Sequence, residues 1–72
     1  MSDSQAIAIR ALKIMLYDAE ERVWALRKMF MIMSDEQMQE PYANTTRAEI
    51  LSEAEDECEK IKAAIRWVDS AK

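Results

Sequence analysis

The sequence contains no glycine and only one proline, Pro41, among its 72 residues. Folds with many tight turns, such as β-sandwiches and barrels, use both residues at those turns, so the composition disfavours them. Histidine is absent as well, which removes the side chain most often used for acid–base catalysis and zinc binding. The single cysteine, Cys58, cannot form a disulfide within the chain. We therefore predict neither a metal nor another cofactor.

Long apolar runs are also missing. The most apolar window, residues 23–33, is too short to span a bilayer and is interrupted by Arg27 and Lys28. The first eleven residues lack the basic end and apolar core of a signal peptide. We expect a soluble cytoplasmic protein that does not bind membranes. The net charge is −4 and no predicted helix gathers its bases on one face, so direct binding to nucleic acid is not expected.

Helix signals occupy most of the chain. Ser2 with Gln5 is a capping-box pattern, and Thr46 with Glu49 is a second one. Residues 34–37 allow the first helix to fray, restart or continue, and Pro41 ends it. We predict one all-α domain over 1–72, with helices over about 3–39 and 47–70 and a loop over about 40–46.

Both predicted helices carry apolar residues at the a and d positions of a seven-residue repeat, which is typical of coiled-coil packing. Residues 35–59 have a net charge of −8 and the remainder +4. Folding the chain into an antiparallel hairpin brings these opposite charges together. The predicted core residues of the two seams are Ile9, Leu12, Leu16, Val23, Leu26, Phe30, Leu51, Cys58, Ile61, Ile65 and Val68.

The first helix has more apolar surface than one partner helix can cover. Residues outside its seam include Ile7, Ile14, Met15 and Met29. Apolar surface of this extent usually marks an interface. We therefore predict a homodimer in which two hairpins form a four-helix arrangement. The sequence leaves open whether Trp24 and Trp67 belong to the dimer core or to a partner surface.

Acidic side chains are the only abundant groups in this sequence that could serve in catalysis. The spacing Glu53-x-x-Asp56, with Asp18-x-x-Glu21 on the first helix, resembles the paired acidic motifs of all-α nucleotide pyrophosphohydrolases of the MazG type. The resemblance covers these four residues, and Asp18 stands where the first motif usually has Glu. It implies metal-dependent nucleotide hydrolysis, which is one alternative function. The other interpretation is a solvated acidic face, and we expect no enzymatic activity.

Protein binding is the function that the composition favours, since methionine adapts to irregular surfaces and Trp and Tyr are enriched in interface hot spots. We predict a stoichiometric inhibitor or regulator, similar in size and acidity to the small accessory inhibitors encoded by bacteriophages. The acidic side chains of the second predicted helix favour a basic partner, such as a nucleic-acid-binding protein. A coiled-coil adaptor subunit is the other alternative. The predicted partner-binding residues are Tyr17, Trp24, Met31, Glu53, Glu55, Asp56, Glu59 and Trp67.

Overall fold

The computed structural model describes residues 2–71, and most of them are helical. Helix α1 spans Asp3–Phe30, α2 spans Asp35–Gln39 and α3 spans Arg47–Ser70. Between α2 and α3, strand β1 (Pro41–Tyr42) pairs antiparallel with β2 (Thr45–Thr46). The predicted all-α class is confirmed, and α3 covers the residues expected for the second helix. None of the helices in this part of the chain has the length and apolar character that crossing a membrane requires.

The first turn of α1 is held by the predicted capping box. The Ser2 hydroxyl accepts the Gln5 backbone N–H at 3.1 Å, and Gln5 Oε1 accepts the Ser2 backbone N–H at 3.0 Å. Gln5 also donates through Nε2 to the carbonyl oxygens of Val68 and Ala71. One side chain therefore caps α1 and ties its start to the end of α3.

The first helix ends at Phe30 rather than at about residue 39, which corrects the predicted boundary. The chain restarts as α2 after Ser34, whose hydroxyl accepts the Gln37 backbone N–H while Gln37 Oε1 accepts the Ser34 backbone N–H. These local side-chain bonds satisfy the backbone without a continuous helix, so they compete with helix continuation. Of the three outcomes that residues 34–37 allowed, the structure has the restart.

The segment predicted as a loop forms a small hairpin instead. Pro41 favours extended backbone before and at its position, and Ala43 and Asn44 make the turn between β1 and β2. The second capping box is only half formed. The Thr46 hydroxyl accepts the Glu49 backbone N–H, but the Glu49 carboxylate accepts a hydrogen bond from the Thr45 hydroxyl at 2.6 Å.

The hairpin turn contains a strained residue, because Ala43 has φ of 58°. A Cβ in this left-handed region costs about 1–2 kcal/mol, and glycine avoids that cost. We expect Ala43→Gly to stabilise the chain by about 0.5–1 kcal/mol after the larger unfolded-state entropy of glycine is subtracted. Urea unfolding followed by circular dichroism measures the change. Ala63→Gly, within α3, should instead destabilise by about 1 kcal/mol, and equal effects of the two changes would contradict the assignment of strain to Ala43.

The core lies along the contact between α1 and α3. Ala19 and Val23 from α1 are buried against Ala54, Cys58 and Ile61 from α3. Half-buried leucine and isoleucine side chains extend this cluster, and Phe30 is buried near the end of α1. All the predicted seam residues are buried or half-buried, namely Ile9, Leu12, Leu16, Val23, Leu26, Phe30, Leu51, Cys58, Ile61, Ile65 and Val68.

The resulting molecule is elongated. Its principal extents are 49 × 17 × 17 Å and its Cα radius of gyration is 15.8 Å. A compact chain of this length has a radius of gyration of about 11 Å. With only two long helices in contact, much of the surface of α1 is not covered by α3.

Candidate functional site

A shallow groove of about 960 Å³ lies between α1 and α3 on one side of their contact. The buried Val23 and Cys58 form its floor, and exposed aromatic and charged side chains form its walls. We call it the Trp24 groove. Its lining residues are Tyr17, Glu20, Glu21, Val23, Trp24, Ala25, Arg27, Glu55, Asp56, Cys58, Glu59 and Lys62.

Two aromatic rings stand at the α1 wall of the groove. Trp24 is 65% exposed and Tyr17 is 64% exposed, although both rings are largely apolar. The Lys28 ammonium lies 4.8 Å from the centre of the Trp24 ring, a cation–π contact between residues one helical turn apart. This contact favours one orientation of the indole while leaving much of its surface open to a partner.

The Tyr17 hydroxyl is coupled to Glu21. Its pKa is raised above the usual value because it donates a hydrogen bond to the Glu21 carboxylate and because that carboxylate is negatively charged, with a smaller contribution from Asp18. Tyr17 is therefore a neutral hydrogen-bond donor near neutral pH.

We expect Glu21→Gln to lower the pKa of Tyr17, because the substitution removes the negative charge that opposes ionisation. Absorbance of the phenolate, followed during alkaline titration, measures the change. The titration is performed in a Tyr42→Phe background so that only Tyr17 contributes. An unchanged or raised pKa of Tyr17 would contradict the coupling, and Glu36→Gln, on α2, serves as the control.

The Trp24 groove is acidic. Five carboxylates and two cations line it, which gives a net charge of −3. Both cations are engaged: Arg27 Nη2 lies 2.5 Å from Glu55 Oε2, and Lys62 Nζ lies 3.5 Å from Glu59 Oε1. Within residues 2–71, neither Glu20 nor Asp56 is part of a salt bridge. The excess negative charge is thus left for solvent or for a cationic partner.

No family model, curated protein or solved structure matches the chain. A functional proposal therefore rests on the residues of the chain and on their arrangement. The strongest arrangement is the convergence of aromatic and acidic side chains at the Trp24 groove.

The structure brings together five of the eight residues predicted to bind a partner and separates the other three. Met31 is 74% exposed and follows the last residue of α1. Trp67 is 76% exposed on α3, and Glu53 is exposed there as well; none of the three lines the groove. The five residues that meet in the Trp24 groove are Tyr17, Trp24, Glu55, Asp56 and Glu59.

Sequence reasoning missed several residues of the groove, although helical spacing could have found them. Glu20 precedes Trp24 by four residues and therefore lies on the same side of α1. Lys62 follows Glu55 by seven residues, which places both on one side of α3. The overall charge balance predicts that bases of α1 lie beside acids of α3, but it does not predict the direct pairing of Arg27 with Glu55.

The acidic residues do not assemble into a metal site in the described residues. No group of three or more carboxylates or thiols that could hold a metal ion occurs among residues 2–71. The motif residues Asp18, Glu21, Glu53 and Asp56 thus do not converge there.

A second hollow of about 580 Å³ continues the surface beyond Tyr17, which lines both hollows. Its charged residues are Arg10, Lys13 and Asp69. The sign of the net charge therefore changes along this side of the molecule, from acidic around Trp24 to basic around Arg10.

Proposed function

We propose that the chain is a small helical protein-binding module that regulates another protein by stoichiometric binding at the Trp24 groove. The observation that carries the proposal is the exposed pair Trp24 and Tyr17 beside carboxylates that lack ion-pair partners. Exposed aromatic rings contribute little to the stability of the chain itself, whereas a partner that buries them gains the energy of an interface hot spot.

The proposed partner surface is basic. The net negative charge of the groove attracts such a surface and accelerates association. Exposed ion pairs such as Arg27–Glu55 contribute at most about 1 kcal/mol, so a partner's cations can replace them at low cost. A nucleic-acid-binding protein fits this description, and occupation of its basic surface would exclude nucleic acid and inhibit it. The proposed setting is the cytoplasm, where a free thiol such as that of Cys58 stays reduced.

The proposed architecture is an antiparallel hairpin of α1 and α3 with a coiled-coil-like seam. The bonds from Gln5 to Val68 and Ala71 support this orientation, since they join the start of α1 to the end of α3. The pair between Arg27 and Glu55 joins the end of α1 to the first half of α3. We further propose that two hairpins associate as a homodimer, which the exposed apolar side chains of α1 support.

Substitution of the groove tryptophan tests the proposed function. Immobilised wild-type chain is used to capture a partner from a lysate of the source cell, and binding of the purified partner is then measured by calorimetry. We expect a basic partner, a stoichiometry of one per groove, and a loss of affinity of about 30-fold or more for Trp24→Ala. The matched control is Trp67→Ala, which removes an indole that is also exposed but lies outside the groove, and this variant should bind as the wild type does.

Charge neutralisation provides the second measurement. A triple variant, Glu20→Gln, Glu55→Gln and Asp56→Asn, should mainly slow association and reduce its dependence on salt. Binding that tolerates both this variant and Trp24→Ala would overturn the proposed site. Assemblies larger than a dimer in the absence of any partner would instead favour the adaptor function.

A further inference from the structure

One side of α1 is largely apolar and exposed, and lies apart from the buried seam with α3. Its residues lie three, four or seven positions apart, and at about 100° per residue their mean direction is about a third of a turn from that of the buried Ala19 and Val23. Every one of them is exposed, and Ile14 for example is 60% exposed. We call this side the back face of α1, and it consists of Ile7, Ala11, Ile14, Asp18, Ala25 and Met29.

Two opposite charges interrupt the back face near its middle. Asp18 belongs to the face, and Arg22 lies one turn further along, at the edge of the face. Arg22 already donates from Nη1 to Glu57 Oε2 at 2.9 Å. A guanidinium has five N–H donors, so Arg22 can bind a second carboxylate as well. A surface that presents the same two charges in the reverse order would pair with both.

We infer that the back face of α1 binds the back face of a second copy, with the two α1 helices antiparallel about a two-fold axis between Asp18 and Arg22. The axis places Asp18 of each copy opposite Arg22 of the other, so the pair forms twice. Antiparallel packing also sets the positive end of each helix dipole beside the negative end of the other. The inference rests on the proposed homodimer and adds the surface and register through which it forms.

Side-chain sizes agree with the same register. Ile14 faces Ala25 of the other copy, and Met29 faces Ala11, so a large side chain meets a small one at each level. A register displaced by one turn pairs Ala11 with Ala25 and places Asp18 opposite itself, which combines a gap with like charges. Parallel helices would also place Asp18 opposite itself. Since one surface supplies both halves of every favourable pairing, the occupant that fits is a second copy.

This dimer leaves most of the proposed partner site open, because of the residues that line the groove only Ala25 also belongs to the back face. Trp24 lies about a third of a turn around α1 from the back face, on the side where the Trp24 groove meets α3. Each dimer therefore presents two grooves, related by the two-fold axis.

Charge reversal at the centre of the back face tests the register. Asp18→Lys and Arg22→Glu are each examined by sedimentation equilibrium, and circular dichroism checks that helix content is retained, since Arg22→Glu also removes the bond to Glu57. Each variant alone should self-associate about tenfold more weakly than the wild type. An equimolar mixture should recover wild-type affinity, because each variant supplies the charge that the other lacks. Glu53→Lys reverses a charge on α3 and should leave self-association within about twofold of the wild type.

A hydrophobic variant distinguishes failure of this inference from failure of the proposed homodimer. Ile14 is exposed within the single chain, so Ile14→Asp should keep its helix content and sediment as a monomer. A mixture of charge variants that does not recover affinity would overturn the Asp18–Arg22 register. If all three variants remain dimeric, the back face is not the interface, while the proposed homodimer stands. A wild-type chain that is monomeric at high micromolar concentration would overturn both.

Discussion

Val23→Asp should leave most of the chain unfolded at room temperature. Val23 is buried in the cluster formed with Ala19, Ala54, Cys58 and Ile61. A carboxylate at this position would lose its hydration without gaining a counter-ion, which costs several kcal/mol. A chain of this length has a total stability of only about 4–11 kcal/mol. Far-UV circular dichroism should show a marked loss of helix and of the cooperative thermal transition.

The control for this change is Ala63→Asp, which places the same side chain on an exposed position of α3. Its cost should be limited to the difference in helix propensity, about 0.7 kcal/mol. Val23→Asp with a melting temperature equal to that of Ala63→Asp would show that the contact between α1 and α3 does not hold the fold together.

Ile61→Ala should destabilise the chain by about 2–4 kcal/mol. The side chain of Ile61 is buried between the two long helices, and its removal loses apolar burial and leaves a cavity. Ile61→Val removes a single methylene group and should cost about 0.5–1.5 kcal/mol. Urea unfolding of both variants at equal protein concentration measures the two effects.

The comparison between Ile61→Ala and Ile61→Val shows whether Ile61 is packed in the core. A graded loss of stability is the signature of a packed site, because the cost follows the volume removed. If Ile61→Ala and Ile61→Val each changed stability by less than about 0.5 kcal/mol, as surface substitutions do, Ile61 would not belong to the core.

The seam and the second long helix could be predicted because several independent signals agree there. Apolar residues repeat every seven positions, Thr46 provides an N-cap for α3, and no residue between Arg47 and Ser70 disfavours a helix. Burial then follows the repeat, since the a and d positions of α1 and α3 face each other.

The end of α1 could not be predicted in the same way. Methionine and isoleucine at positions 31–33 are compatible with a helix, and differences in helix propensity are only tenths of a kcal/mol per residue. The outcome depends on the reciprocal bonds between Ser34 and Gln37. Serine occurs both inside helices and at their N-caps, so the sequence permits either result.

The candidate site was predictable in part for a related reason. Tyr17 and Trp24 share a side of α1 because seven residues separate them, and the acidic side chains of α3 were expected beside α1 from charge balance. The position of Trp67 depends on which side of α3 faces the groove, and that of Met31 depends on where α1 ends. The seven-residue repeat predicts neither position, because the first depends on helix packing and the second on local hydrogen bonds.

The 49 × 17 × 17 Å extents of the single chain affect how its association must be measured. An elongated particle experiences more friction than a sphere of equal mass, so in gel filtration this monomer would elute ahead of compact standards of 8.4 kDa. Its elution volume could then match that of a compact dimer. Pairing of two α1 helices about an axis near their middle would thicken the particle while adding little to its length. The frictional ratio should therefore fall on association, and velocity sedimentation can report dimer formation through shape as well as through mass.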